Sequence, residues 1–542
     1  MPVKAQCLPF SQIPHTTRLF ADFLAWSPNV QPFYSRPPQF RDWVKDETDR
    51  VRYDAARRER VAAVLKRQNE AWGASTKTLE NIERLRAGAF AAVTGQQVGL
   101  FGGPAFSLYK ALTAIRLAEE ANAAGVDCVP VFWLATEDHD LEEVSHVGLP
   151  GQDGSPQELK LAANRRPDAP VSAVVLGEEI REPLAQAVSL LGEGAAASLL
   201  SESYRESETL GNAFARLFSN LFAEWGVILL DASDAELHQI AEPIYRAAAE
   251  RAVELDESLL KRGKALEDAG YQQQVKVTDS STLLFALRDG ARVPIHRRAS
   301  AASNGPDFLI GEEKLSQSEL LGRITAEPHH FSANVLLRPV VQDYLLPTLA
   351  YTGGAAEVAY FAQAAVVYEA LLGRVTPVIP RFSASIVEPK PQALLERYGL
   401  GLLDVVHGSE ALLQRLASQA LPQELQTAFD GARTSLDKSF GPIRELLERL
   451  DKTLVDAANN AAAKMHHQLE GLQTRAARAE VRQSEVLERH ARLLSQALYP
   501  GKTLQEREIA GIYFVARYGP EFLRQLHDVV STDCLNHCVV TV

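Results

Sequence analysis

Two uninterrupted apolar runs, Ala89–Val93 and Cys128–Ala135, each end in a polar and chemically capable loop. No other feature restricts the chain as much. A strand that is apolar throughout belongs inside a parallel sheet, covered on both faces. The first run enters Thr94-Gly95-Gln96-Gln97-Val98-Gly99-Leu100-Phe101-Gly102-Gly103-Pro104. The segment beyond it is helix-like, with Leu108, Leu112, Ile115 and Ala118 at helical spacing. Strand, glycine-rich loop and helix is the layout that aims backbone N–H groups at an anion. Glycines allow the backbone to approach a ligand closely, and two consecutive glutamines exceed what a tight turn requires. The loop fits neither G-x-G-x-x-G nor the P-loop pattern, so a plain turn competes with anion binding. The second run ends in Thr136-Glu137-Asp138-His139-Asp140. Ligands of open parallel sheets sit at the carboxyl ends of strands, so two such ends together point to a site.

The rest of the 542-residue chain divides around this unit. Helix Leu210–Ala223 feeds a third apolar run, Gly226–Asp231. Residues Gly148–Glu208 read as an insertion with short β-like pieces such as Val171–Leu176. A second insertion holds helical Ala235–Lys264, then β-like Gln274–Leu287 and Val293–Arg298. Phe331–Pro380 returns to a core pattern, with a helix over Ala356–Leu372. From Glu388 the character changes. Leu425, Phe429, Ala432, Leu436, Phe440, Ile443, Leu447, Leu450, Leu454, Ala457 and Ala461 recur at steps of three and four, a coiled-coil-like seam. Gly441-Pro442 should break or kink a helix there. A second helical run, Leu469–Leu498, would lie antiparallel to the first, and an apolar stripe left exposed would pair with a second subunit.

The net charge of −13 argues against a nucleic-acid partner while leaving room for a local basic pocket. Four cysteines, Cys7, Cys128, Cys534 and Cys538, are too few and too scattered for a disulfide framework, which favours a reducing compartment. Cys534, His537 and Cys538 match no common zinc spacing, and the C-terminal tail is expected to be unpaired. The N-terminus lacks the apolar core of a signal peptide, and no uninterrupted apolar stretch reaches the length of a membrane span.

Four groups carry candidate chemistry. Gln96, Gln97, Gly102, Gly103 and Pro104, with Lys110 in the following helix, would hold phosphate or carboxylate oxygens. His139, flanked by Asp138 and Asp140, is a candidate general base, because neighbouring carboxylates favour its protonated form; a solvated helix cap is the competing reading. Arg338 lies in an apolar run near Asn334 and needs an anionic partner. That partner is either a ligand or a structural aspartate, Asp343 or Asp231. Tyr351, Gly353, Gly354 and Glu357 form another strand–glycine–helix passage, and Arg381 follows a further strand end.

Taken together, TGQQVGLFGGPAFSLYKALTAIRLA (94–118), VPVFWLATEDHDLEEVSHV (129–147), FSANVLLRPVVQDYLLPTLAYTGGAAEVAYFAQ (331–363), PVIPRFSASIVE (377–388) and TLQERE (503–508) resemble the bacillithiol biosynthesis cysteine-adding family, BshC. The resemblance implies an α/β fold: a Rossmann-like core related to class I nucleotidylyl transferases, two connecting insertions and an α-helical coiled-coil domain. On this reading residues 1–387 form the core, with insertions at roughly 148–208 and 235–330. Residues 388–498 form the coiled coil, and 499–542 return to the core. The implied activity is that of a cytoplasmic ligase adding cysteine to the amine of glucosaminyl-malate, as a homodimer joined through the coiled coil. Such chemistry needs an activated carboxyl, so ATP or ADP and Mg2+ are the expected small molecules, with no organic cofactor. No metal-ligating set is assigned. The H-x-G-H signature of adenylating relatives is replaced here by Gln96-Gln97-Val98-Gly99.

The residues expected to act are His139, Gln97 and Asp138 in catalysis. Thr94, Gln96, Gly103, Asn334, Arg338, Tyr351, Glu357 and Arg381 are expected to bind substrate. Tyr499, Lys502, Gln505 and Arg507 form a second candidate site, for nucleotide. A non-catalytic nucleotide-binding protein whose coiled coil recruits a partner is the competing reading.

Overall fold

The computed structural model describes residues 4–151, 154–162, 168–298, 306–419, 423–482 and 485–542. The chain falls into two compact units. The first comprises Met1–Gln152, Pro156–Ser385 and Glu506–Val540; the second is built mainly from Ile386–Gln505.

The apolar runs of the sequence become the centre of a five-stranded sheet in the first unit. Its strands are β1 (Phe90–Gln96), β2 (Cys128–Leu134), β3 (Ile228–Asp231), β4 (Thr348–Gly353) and β5 (Val378–Pro380). Every pairing is parallel, in the order β5-β4-β1-β2-β3. Strand alternation sends Ala91, Val93, Val129 and Val131 to one apolar cluster and Ala92 and Cys128 to another on the opposite face. Helix α1 (Phe106–Ala123) covers the second cluster through Leu117, Ala118 and Ala121. Helices α2 (Arg338–Leu345) and α3 (Ala355–Leu372) contribute to the first. By length and composition α3 could cross a membrane, but its residues are largely buried in this core. The chain passes outward from β1 to β3 and then jumps back to β4, so β1 and β4 flank a topological switch point.

The second insertion follows its helices with four strands of an antiparallel five-stranded sheet, and the fifth strand, Phe331–Ala333, comes from the segment expected to belong to the core. The strands of this sheet run in the order Glu313–Ser316, Asp307–Ile310, Ala291–Arg298, Ser281–Arg288, Phe331–Ala333. Only the second half of the β-like Gln274–Leu287 segment is strand. The reason lies in Gln363: its side-chain amide accepts from Val275 N–H and donates to Val275 C=O, both at 2.8 Å, and so substitutes for a ladder partner. Likewise Val171–Leu176 is not a strand but a 3-10 turn followed by a single bridge from Val175 to Thr209.

The C-terminal tail is also not unpaired. His537–Thr541 is a strand beside Lys4–Leu8, and Cys7 is disulfide-bonded to Cys534. Contact between the two ends of a chain leaves no local sequence signal. Further upstream, residues 509–511 dock on the end of the glycine loop and on Gly148: Ala105 N–H donates to Ile509 C=O, Ala510 N–H to Gly148 C=O and Gly511 N–H to Gly103 C=O.

The second unit is dominated by helices α4 (Gln423–Leu450), α5 (Leu454–Arg482) and α6 (Glu485–Leu498). Contacts Arg433–Gln473 and His466–Asp437 fix α4 and α5 as antiparallel. Contrary to expectation, α4 runs unbroken through Gly441-Pro442. Pro442 is exposed, so the carbonyl its missing N–H would have bonded can be hydrated. The turn falls instead at Asp451–Thr453, where Asp451 Oδ1 accepts from Thr453 N–H at 2.9 Å. The seam of apolar residues happens to continue across that turn, which hid it.

Candidate active site

A cavity of about 630 Å³ opens at the carboxyl ends of β1, β2, β4 and β5, at the switch point. Ten of the fifteen sequence-predicted residues line it: Gln96, Gln97, Asp138, His139, Asn334, Arg338, Tyr351, Glu357, Arg381 and Arg507.

Lys110 explains the first glutamine. It projects from α1 into the protein and donates to Gly95 C=O and Gln96 Oε1, both at 2.8 Å, while forming an ion pair with Glu357 at 2.5 Å. The helix places Lys110 on a buried face, so it is not the solvated residue that its charge would allow. Burial holds the Lys110 amine below its ordinary value. Burial also pushes the Glu357 carboxyl up, but Lys110, the Tyr351 hydroxyl and Gly354 N–H together hold it below the usual carboxylate range. The second glutamine faces the other strand end. Gln97 Nε2 donates to Asp138 Oδ2 at 2.8 Å and Glu143 Oε2 at 2.9 Å, bridging two carboxylates.

Beyond Gln97 the wall is acidic. His139 Nδ1 lies 3.7 Å from Asp138 Oδ1, and its ring stands 6.1 Å from Phe285. Glu137 accepts from a residue the sequence did not single out: buried His238, whose Nε2 is 3.2 Å from Glu137 Oε1. Burial alone would lower the His238 imidazole, but the Glu137 carboxylate outweighs it and raises the imidazole above its ordinary value. Arg292, also unforeseen, comes from the insertion sheet. Its guanidinium covers Phe285 at 4.1 Å, donates to Ser332 Oγ at 3.0 Å and stands 4.0 Å from Asp138 Oδ1. No local pattern marks His238 or Arg292, because only tertiary folding brings Arg292 to the cavity and His238 to Glu137 on its wall.

Opposite this wall stands Arg338, the first residue of α2. Asn334 Oδ1 accepts from Leu336 and Leu337 N–H and thereby caps the turn that presents it. Arg338 donates to Gln342 Oε1 at 3.2 Å and Tyr360 Oη at 2.9 Å, and lies near the rings of Trp133 and Tyr351. Neither proposed structural aspartate pairs with it. Asp343 is bonded to Thr376 and Gln342, and Asp231 to Thr136 and Ser233. Among the described residues no carboxylate forms an ion pair with Arg338. Burial opposes its charge, but Tyr360, Tyr351 and Glu357 nearby outweigh that and raise it above its ordinary value. Trp133 adds a buried indole N–H on this wall that has no acceptor among the described residues.

Arg381 and Arg507 both cover the ring of Phe106, at 5.3 and 5.8 Å. Arg381 pairs with buried Glu506 at 2.7 Å, which also accepts from Ser383 Oγ and Ala384 N–H. Arg507 is exposed and makes no ion pair among the described residues.

The remaining expectations fall elsewhere. Thr94 is fully buried and donates to Thr352 C=O at 2.9 Å, tying β1 to β4. Gly103 adopts φ +70° and holds the returning segment through its carbonyl, so it does not reach the cavity. The four positions of the second candidate site are not one set. Arg507 belongs to the cavity of the first unit, whereas Tyr499, Lys502 and Gln505 belong to the second unit. The Gln505 amide is occupied by the Ile386 backbone and Ala497 C=O.

Comparison with known proteins agrees with this architecture. Residues 3–382 match the family model for the BshC N-terminal Rossmann-like domain of bacillithiol biosynthesis, and residues 384–542 match its C-terminal coiled-coil domain. A protein of Koribacter versatilis, named as a candidate cysteine ligase BshC, is 49% identical over 536 residues, covering 99% of both chains. Proteins of the same name from Solibacter usitatus and Salinibacter ruber are each 34% identical; the former covers 99% of both chains, the latter 97% of this chain and 96% of its own.

Proposed function

The chain belongs to the BshC family of bacillithiol biosynthesis, and from that premise we propose that it is a ligase joining the carboxyl group of cysteine to the amine of glucosaminyl-malate. The observation that carries this reading is Arg338, a cation on the cavity wall with no carboxylate partner among the described residues. A carboxylate-bearing substrate supplies the missing charge, through the paired hydrogen bonds that a guanidinium forms best. The malate carboxylates are the anions of this substrate. The acidic wall of Glu137, Asp138 and Glu143 suits the positive end of an amino acid or amino sugar.

Amide formation also needs a group to take the proton from the attacking amine. His139 is placed for that role on the cavity wall beside Asp138, with Gln97 holding the aspartate in position. Arg381 and Arg507, both beside the ring of Phe106, are the residues that would hold phosphate oxygens. ATP with Mg2+, when bound, would supply the activation that a free carboxyl lacks. The enzyme is proposed to act in the cytoplasm as a homodimer. In support, Leu446, Leu450 and Leu472 of the helical hairpin are more than half exposed.

The test is mass spectrometry of purified protein incubated with glucosaminyl-malate, cysteine and ATP-Mg, omitting each in turn. A product heavier by one cysteinyl residue, formed only in the complete mixture, is expected. Product without ATP would assign activation to a different donor, and no product in any mixture would overturn the ligase reading.

A further inference from the structure

Pairing of the first and last strands gathers three sulfurs from the two ends of the chain. Cys7 lies on Lys4–Leu8, Cys538 on His537–Thr541, and Cys534 in the turn just before it. Their Sγ atoms all lie within 4.8 Å of one another. Cys7 and Cys534 are joined as a disulfide, and Cys538 Sγ stands 3.9 Å from Cys7 Sγ. A disulfide needs two sulfurs, so it does not account for the third. His537 is not part of this group. Neighbours on a strand point to opposite faces, and its two ring nitrogens are bonded to Ser383 Oγ at 2.7 Å and Ser385 Oγ at 3.0 Å.

One edge of the cluster already has the spacing that a thiophilic ion requires, and reduction of the disulfide frees the third sulfur to take up the same spacing. With metal–sulfur bonds of about 2.3 Å, the corners of a tetrahedron stand about 3.8 Å apart, close to the Cys7–Cys538 separation of 3.9 Å. Exposure is graded across the group: Cys538 is buried, Cys534 half-buried and Cys7 exposed. The fourth corner therefore falls on the solvent side, where water completes the set.

We propose that the reduced Cys7, Cys534 and Cys538 cluster is a thiolate site for a soft divalent cation of the zinc class, separate from the cavity, clamping the two ends of the chain together. Disulfide and metal are alternative states of one site. A dithiol reductant converts the Cys7–Cys534 disulfide to two thiols and is itself oxidised to a disulfide. The three thiols then release their protons as the ion binds.

The full-length protein is stripped with a chelator, reduced with a phosphine and titrated with Zn2+ against a chromophoric competitor, with Co2+ in a parallel sample. The expected results are about one zinc retained per chain through gel filtration and a thiolate-to-cobalt charge-transfer band. Zinc should also shield the cluster from a thiol reagent. Cys7→Ser, at an exposed position on the edge strand, should keep the native circular dichroism and weaken zinc retention more than about tenfold. Reduced wild-type protein that retains no zinc and stays open to alkylation in its presence would overturn the proposal. So would undiminished zinc binding in folded Cys7→Ser.

Discussion

Arg338 is a cation that the fold encloses without an ion-paired carboxylate among the described residues. Enclosing a charge costs stability unless it is paired, so a residue kept there for ligand binding has a distinctive signature on removal. Arg338→Met should lower kcat/KM by about 100-fold, the loss expected for about 2–3 kcal/mol of charge-assisted hydrogen bonding. The midpoint of thermal unfolding should stay level or rise. Loss of stability in step with activity would mark the arginine as structural instead. Part of this was legible: Arg338 stood out because the run around it is apolar. Its lack of an aspartate partner was not, because Asp343 and Asp231 are drawn away by Thr376 and Thr136 from other parts of the chain, with Ser233 adding a local bond to Asp231. His537 is a second residue whose meaning emerges only in the fold. Ser383 donates its hydroxyl hydrogen to Glu506, so His537 Nδ1–H donates to Ser383 and Nε2 accepts from Ser385. The ring is neutral, and burial lowers it to about 4. Its folded value lies below the unfolded value of 6.5. The unfolded chain therefore binds the proton first, and stability is lost as pH falls from 6.5 towards 4. This residue alone should account for about 3 kcal/mol of that loss. Urea unfolding of His537→Gln at both ends of the window should show the slope reduced by that amount.

At the scale of elements, the parallel sheet was the most legible part, since β1 and β2 are apolar on both faces and announce burial directly. The order β5-β4-β1-β2-β3 was not, because strand order depends on crossovers that no local pattern records. Side-chain substitutes for backbone pairing were equally hidden, as Gln363 shows at Val275. Glycine had two roles that the sequence merged into one. Gly103 was read as ligand-binding, yet it receives the returning segment that carries Glu506 and Arg507, as does Gly148, to which the sequence assigned no role. A Cβ on Gly148 would stand 2.4 Å from Glu508 C=O. Gly148→Ala should therefore destabilise the first unit by about 1–3 kcal/mol, the usual range for overpacking, read as a lowered urea midpoint. It should also reduce activity by displacing Arg507. A variant of native stability would mean that the backbone shifts without cost.

For the molecule as a whole, the division into an α/β unit and a helical unit follows from the change of periodicity near residue 388. The hairpin buries Phe429, Ala458 and Ala462 but leaves Leu446 and Leu450 at 64% and 78% exposure. If that stripe joins two subunits, light scattering should give twice the chain mass for the native protein. Leu446→Glu combined with Leu450→Glu should give the single-chain mass with helicity preserved. A native monomer would remove the role assigned to the hairpin.

The contact between Arg381 and Glu506 has a temporal meaning as well. During synthesis every strand of the parallel sheet leaves the ribosome before Glu506 and Arg507 are made. Until then Arg381 has no counter-ion, and the cavity lacks part of its wall. The cavity is therefore completed only after residues 506 and 507 have been added, and a product released before them carries the complete sheet without the finished wall.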